Sequence, residues 1–239
     1  MVIPAGFDEE FLEWFRLRTE AYWAQHSARP FEYYVKSGAG GHDWQEGTKW
    51  SGGLSERQIL EIEQKQSIIF PPDYKLFLQK LHCPDRPQVG ALFSEHGNSL
   101  VPHEEQLFTD WLSKEDLVAE SLMYIIEGLE FDIEHNGLWL ESWGAKPLEL
   151  AGQKAALRCM VAGGPKLIPI CGHRFLLAEP VVAGNPVLSI HQSDIIVYGK
   201  DLRSYLLAEF AGILGTVAAE VPGDQSSEMK IPFWGEFLV

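Results

Sequence analysis

The stretch from Leu54 to Leu81, LSERQILEIEQKQSIIFPPDYKLFLQKL, restricts the fold of this chain more than any other. It encodes two short amphipathic helices joined by a stiff extended connector. Ser55 is a strong N-cap residue, and Gln58 follows three positions later, the spacing of a capping box. Leu54, Ile59 and Ile62 recur at helical spacing, while Glu56, Arg57, Glu61, Glu63 and Lys65 fall on the other face. Pro71 biases Phe70 away from helical angles, so the first helix must stop before it. Pro72 is tolerated in the first turn of a second helix, whose apolar face is Tyr74, Phe77, Leu78 and Leu81.

Leu54-Ser55, Pro72-Asp73-Tyr74 and Phe77-Leu78 together resemble the opening signature of the SUKH superfamily, which includes yeast cell-wall-assembly regulators and many bacterial immunity proteins. Two later segments, Phe131–Gly144 (FDIEHNGLWLESWG) and Gly184–Leu206 (GNPVLSIHQSDIIVYGKDLRSYL), are similar to a bacterial branch of that superfamily. The resemblance spans residues 50–212. It implies a SUKH-like α+β fold, a mixed or mainly antiparallel sheet flanked by helices, and action by binding another protein without shared catalytic machinery. A fold alone does not fix function.

The rest of the chain reads as helices first and strands later, the order of an α+β domain. Asp8 is positioned to cap a helix reaching about Ala28, with Phe11, Trp14, Phe15 and Tyr22 near one face. The glycine-rich 37–53 segment marks the expected boundary between an N-terminal helical extension (residues 1–50) and a SUKH-like domain (51–215). Residues 216–239 read as a tail, polar and mobile over 222–230, with Ile231–Trp234 able to dock back. Residues 84–106 are expected as loop and short strand, with Val89, Ala91 and Phe93 alternating. A helix from Ser113 to about Glu127 and another near 148–161 come next, the latter stopped by Gly163-Gly164-Pro165. Strands are expected at 167–170, 174–178, 187–191 and 195–198, before a helix capped by Asp201.

With 19 lysines and arginines against 34 aspartates and glutamates, the formal net charge is −15. Such a chain repels nucleic-acid backbones and anionic membranes and attracts basic partners. The three cysteines are widely spaced, with no CxxC pair, and read as reduced, mostly buried thiols of a cytoplasmic protein. The first residues, MVIPAGFDEEFLEWF, are acidic and do not read as a signal peptide.

Enzyme motifs fail on inspection. Gly38-Ala39-Gly40-Gly41-His42-Asp43 has aspartate where a dinucleotide loop needs its third glycine, and Gly41 to Gly47 is one residue too long for a P-loop. His103-Glu104-Glu105-Gln106-Leu107 begins like a zinc-protease helix but has leucine for the second histidine. Gly97-Asn98-Ser99-Leu100-Val101 lacks the closing glycine of a nucleophile elbow. No catalytic, cofactor or metal site is expected.

The expected partner-binding residues are Glu130, Asp132, Glu134, Trp139, Glu141, Trp143 and Asp194. Read as extended backbone, Glu130, Asp132 and Glu134 share one face, and Asn136-Gly137 turns the chain into the Trp139–Trp143 stretch. Carboxylates beside tryptophans combine steering with large contact area. The same aromatics also fit core packing, and Asp194 also fits a turn. The leading expectation is an immunity protein that masks a basic toxin such as a nuclease. The alternatives are a scaffold or regulator without a toxin partner, and a hydrolase whose site gathers His42, His103, His173 or His191 with carboxylates.

Overall fold

The computed structural model describes residues 3–94, 97, 99–113, 115–215 and 231–238. Among these, eight helices and two antiparallel sheets form an α+β fold. The chain opens with α1 (Glu9–Trp23), capped by the Asp8 carboxylate on Phe11 N–H, and α2 (Phe31–Ser37). α1 stops short of Ala28. Its last residue, Trp23, is fully buried against Trp44, Trp50 and Phe210, and its carbonyl accepts Gly47 N–H.

The Leu54–Leu81 stretch folds as the two expected helices. In α3 (Glu56–Gln66) Ser55 and Gln58 form the reciprocal capping box, and α4 (Pro72–Lys80) begins at Pro72. Glu63 departs from the reading: it is buried, not on the solvent face. Its carboxylate accepts Phe70 N–H at 2.6 Å and pairs with Lys75 at 2.8 Å, which fixes the angle of the connector. Asp73 is also buried and reaches across the fold to accept Gly184 N–H at 2.8 Å, while Tyr74 Oη accepts Trp111 Nε1–H.

A small sheet joins β1 (Gly41–Asp43), β2 (Gln88–Phe93) and β3 (Leu100–Glu105) in the order β1-β2-β3, so the glycine-rich segment contributes an edge strand. Phe93 is exposed, which breaks the expected burial alternation. Then come α5 (Leu117–His135) and α6 (Leu150–Gly163), and a meander of β4 (Leu167–Cys171), β5 (Arg174–Leu177), β6 (Val187–His191) and β7 (Asp194–Gly199). Helices α7 (Leu202–Glu209), with a capping box between Asp201 and Ser204, and α8 (Ala211–Leu214) follow.

The meander is apolar on both faces because helices cover both. Along β5 and the residue after it, Leu176 and Ala178 point into one core while Phe175 and Leu177 point into the other, the period of two expected of a strand. The first core gathers α1, α3, α4 and α7, including Phe11, Phe15, Trp50 and Phe210. Phe11, Leu12, Trp14, Phe15, Trp23 and Trp50 are therefore packed into the same core as α3 and α4. The second core lies between the meander and α5, α6 and the C-terminal residues. There Ile231, Phe233 and Trp234 are buried, and Trp234 Nε1 donates to the Pro165 carbonyl at 2.9 Å. The polar tail expected over 222–230 lies outside the described residues.

Candidate functional site

Helix α5 decides where the expected binding residues sit. It starts after Asp116, not Ser113, and runs through Gly128 to His135, so Glu130, Asp132 and Glu134 are helical and do not share an extended face. Glycine inside a helix costs about 1 kcal/mol against alanine. Here it permits close packing: a Cβ at Gly128 would lie 3.3 Å from Gln192 Cα in the β6–β7 turn.

That geometry gives the three carboxylates different work. Asp132 is 2% exposed; one oxygen accepts Ser193 N–H at 2.8 Å and the other accepts Asn136 Nδ2–H at 2.6 Å. Burial works against its charge, but those hydrogen bonds win and hold its pKa below the usual aspartate range. Glu130 is buried against α6 and bonds Arg158 Nε at 2.6 Å. Glu134 stays exposed and pairs with Lys154 of α6 at 2.7 Å. Glu130 and Asp132 are thus fastenings between α5, α6 and the meander, because a buried carboxylate needs partners.

The turn after Asn136 leads not to a strand but to a 3-10 turn, Glu141–Trp143. Trp139 and Trp143 meet edge to face at 5.3 Å, and both are half-buried over the second core. Trp143 Nε1 donates to Glu236 at 3.1 Å and its ring packs on Phe237, so the pair holds the C-terminal residues down. Glu141 and Asp194 are exposed; Asp194 opens β7 opposite His191 in the strand register, across the β6–β7 turn.

The outward face of α5 was not recognised from the sequence as a unit. Glu120, Tyr124, Glu127, Phe131 and Glu134 follow one another at intervals of four and three and are all exposed, with Met123 alongside. Acid and aromatic alternate down the stripe. Tyr124 is 54% and Phe131 47% exposed, while Ile125, Leu129 and Ile133 on the opposite face are buried. The interval pattern was the signal that could have found it.

Five of the histidines lie at three places in the fold. His173 and His191 meet at 6.4 Å between ring centres at one end of the meander. His82 is buried, and its Nε2 accepts Trp111 N–H at 3.1 Å. Its neighbour Cys83 is no ready nucleophile, since burial pushes the thiol up to about 11. Cys171 is buried too and Cys159 is exposed on α6, so the thiols are mostly buried, as expected. His42 and His103 converge with Glu105 on the small sheet.

Among the described residues, no helix is long and apolar enough to cross a membrane. No protein-family model, curated protein or solved structure matches this chain.

Proposed function

We propose that this chain is a cytoplasmic, non-catalytic binding protein that acts as an immunity protein, masking a basic toxin through the outward face of α5. The observation that carries the reading is the alternating stripe of Glu120, Tyr124, Glu127, Phe131 and Glu134. Carboxylates spaced along the helix draw in a basic surface, and the two rings supply desolvated contact that slows its departure. The net charge of −15 extends the attraction beyond the contact and opposes binding to nucleic acid. The likeness of Leu54-Ser55, Pro72-Asp73-Tyr74 and Phe77-Leu78 to the SUKH signature supports the same class of function. Of the residues singled out in the sequence, Glu134 belongs to this face; Glu130 and Asp132 support it from beneath.

The test is affinity capture from the source cells at low and high salt, with the wild-type chain and a Tyr124→Ala/Phe131→Ala variant. The captured protein is then purified, its toxicity assayed, and its affinity for both chains measured by calorimetry. Both rings are half-exposed, so the variant keeps its fold. The expected result is one basic toxin, neutralised by the wild type and bound at least about 30-fold more weakly by the variant, as for loss of a hot-spot residue. Equal binding by the variant removes α5 from the interface. Several non-toxic partners would favour a scaffold.

A second reading, a hydrolase with a histidine–carboxylate site, is favoured by one observation, the convergence of His42, His103 and Glu105.

A further inference from the structure

His103 and Glu105 stand two residues apart on β3, so both side chains leave the sheet on the same face. His42 on β1 reaches that face from the other side of the central strand, because His42 pairs with Gly90 and Gly90 pairs with His103. Glycine in the middle leaves no side chain between the imidazoles, whose ring centres lie 5.3 Å apart. His103 Nε2 is 3.2 Å and His42 Nε2 3.9 Å from the same Glu105 oxygen. All three donor atoms lie within 4.8 Å of one another. Ligands held about 2.0–2.2 Å from a tetrahedral zinc ion stand about 3.3–3.6 Å apart, a range that the two carboxylate distances bracket.

A second observation points the same way. His42 Nε2 is buried, yet it has no hydrogen-bond partner. Buried polar atoms are nearly always satisfied, and the separation from Glu105 is too long for a hydrogen bond. The other histidine cluster, His82 with Cys83 and Asp110, lacks this property. There Nε2 already accepts Trp111 N–H, the proton must sit on Nδ1, and burial keeps the Cys83 thiol protonated.

We propose that His42, His103 and Glu105 bind a divalent transition cation of the zinc class, with a fourth position left open to solvent. Two imidazoles and one carboxylate suit such an ion better than calcium or magnesium, which prefer all-oxygen cages. Strand pairing sets the donors before the ion arrives, so little ordering is left for binding to impose. The face is half-open, since Glu105 is 47% exposed at its side chain, and the ion enters from solvent. The site shares no residue with the α5 stripe, so its success or failure leaves the partner-binding reading untouched.

The experiment is titration of chelator-treated protein with Co²⁺, read by visible absorption, then displacement with Zn²⁺ followed by calorimetry. The expected result is one saturable equivalent with the intense d–d bands of a four- or five-coordinate ion, displaced by zinc. His42→Ala and Glu105→Gln each weaken the affinity at least about 100-fold, beyond what loss of an outer-shell partner does. His173→Ala/His191→Ala leaves it unchanged. Circular dichroism of each metal-free variant reports folding separately, and Glu105→Gln, nearly isosteric and at the surface, decides if His42→Ala fails to fold. Absence of saturable binding up to about 1 mM, or binding that follows His173 and His191, overturns the proposal.

Discussion

Replacing Glu63 with alanine tests whether the α3–α4 connector is held by one buried carboxylate. Its side chain is 9% exposed and has two partners, Phe70 N–H at 2.6 Å and Lys75 Nζ at 2.8 Å. Removing it leaves the buried Phe70 N–H without an acceptor, which costs about 1–3 kcal/mol. Lys75 is 34% exposed and recovers solvation when freed, so the lost ion pair adds no more than about 1 kcal/mol. Alanine returns a few tenths of a kcal/mol in helix propensity. The net expectation is a loss of about 2–3 kcal/mol, or roughly 4–12 °C in Tm for a chain of this size. Glu63→Gln keeps an acceptor for Phe70 and should lose about half as much, and Lys75→Ala less than about 1 kcal/mol. Urea and thermal unfolding followed by circular dichroism give the three values, and a Glu63/Lys75 double-mutant cycle separates the ion pair from the amide. A Glu63→Ala loss under about 0.5 kcal/mol would refute the reasoning. A Glu63→Gln loss as large as that of alanine would show that charge, not the acceptor, holds the connector.

Burial pushes the pKa of His82 down against the opposing pull of Asp110, while an unfolded histidine titrates near about 6.5. The unfolded chain thus binds the extra proton first, so the His82 contribution to stability is complete above about pH 6.5 and is lost as pH falls toward the folded value. His42 and His173 shift in the same direction. Unfolding midpoints between pH 7.5 and 5.5 should fall, with a slope reduced by at most one proton in His82→Gln; an unchanged slope counts against the buried neutral imidazole. Native protein should show one fast thiol toward a maleimide or disulfide reagent, Cys159, since Cys83 and Cys171 are buried with raised pKa values. Peptide mapping that finds Cys83 labelled first would contradict the fold there. Gly199→Ala should destabilise by more than about 2 kcal/mol, because the new Cβ would lie 2.7 Å from Tyr205 backbone at the start of α7. Chemical denaturation measures it, and a near-neutral result would mean that the β7–α7 junction is looser than described.

Local rules were legible where sequence and tertiary demands agree. The capping box at Ser55, the helix cap at Asp201, the proline start of α4 and the meander strands all have short-range causes. The failures are places where long-range packing outweighs local preference. Gly128 argues against a continuous helix until Gln192 is brought against it, and FDIE alternates like a strand while lying on a helix. β1 is three residues long in a glycine-rich segment, too short to announce itself, and it takes its identity from β2. The sequence names His42 and His103 as histidines the fold could gather, but β1 is what brings them to Glu105, since His103 and Glu105 share a face only on a strand and His42 joins them only through pairing. Glu63 misled for a similar reason: helical periodicity gave it no buried partner, and Lys75 lies beyond two prolines.

The order in which the two cores acquire their walls bears on how the chain folds during synthesis. Phe11 and Phe15 of α1 are made early, but the first core also needs Tyr205, Leu206 and Phe210. The second core needs Trp234 over the meander. A ribosome that has released only residues 1–200 therefore presents α1 with an unfinished pocket, and the second core with α5 and α6 in place but without Trp234. Helix α1 must wait until residues 205–210 have been made, and this is the interval in which holdase chaperones would have the most apolar surface to grip.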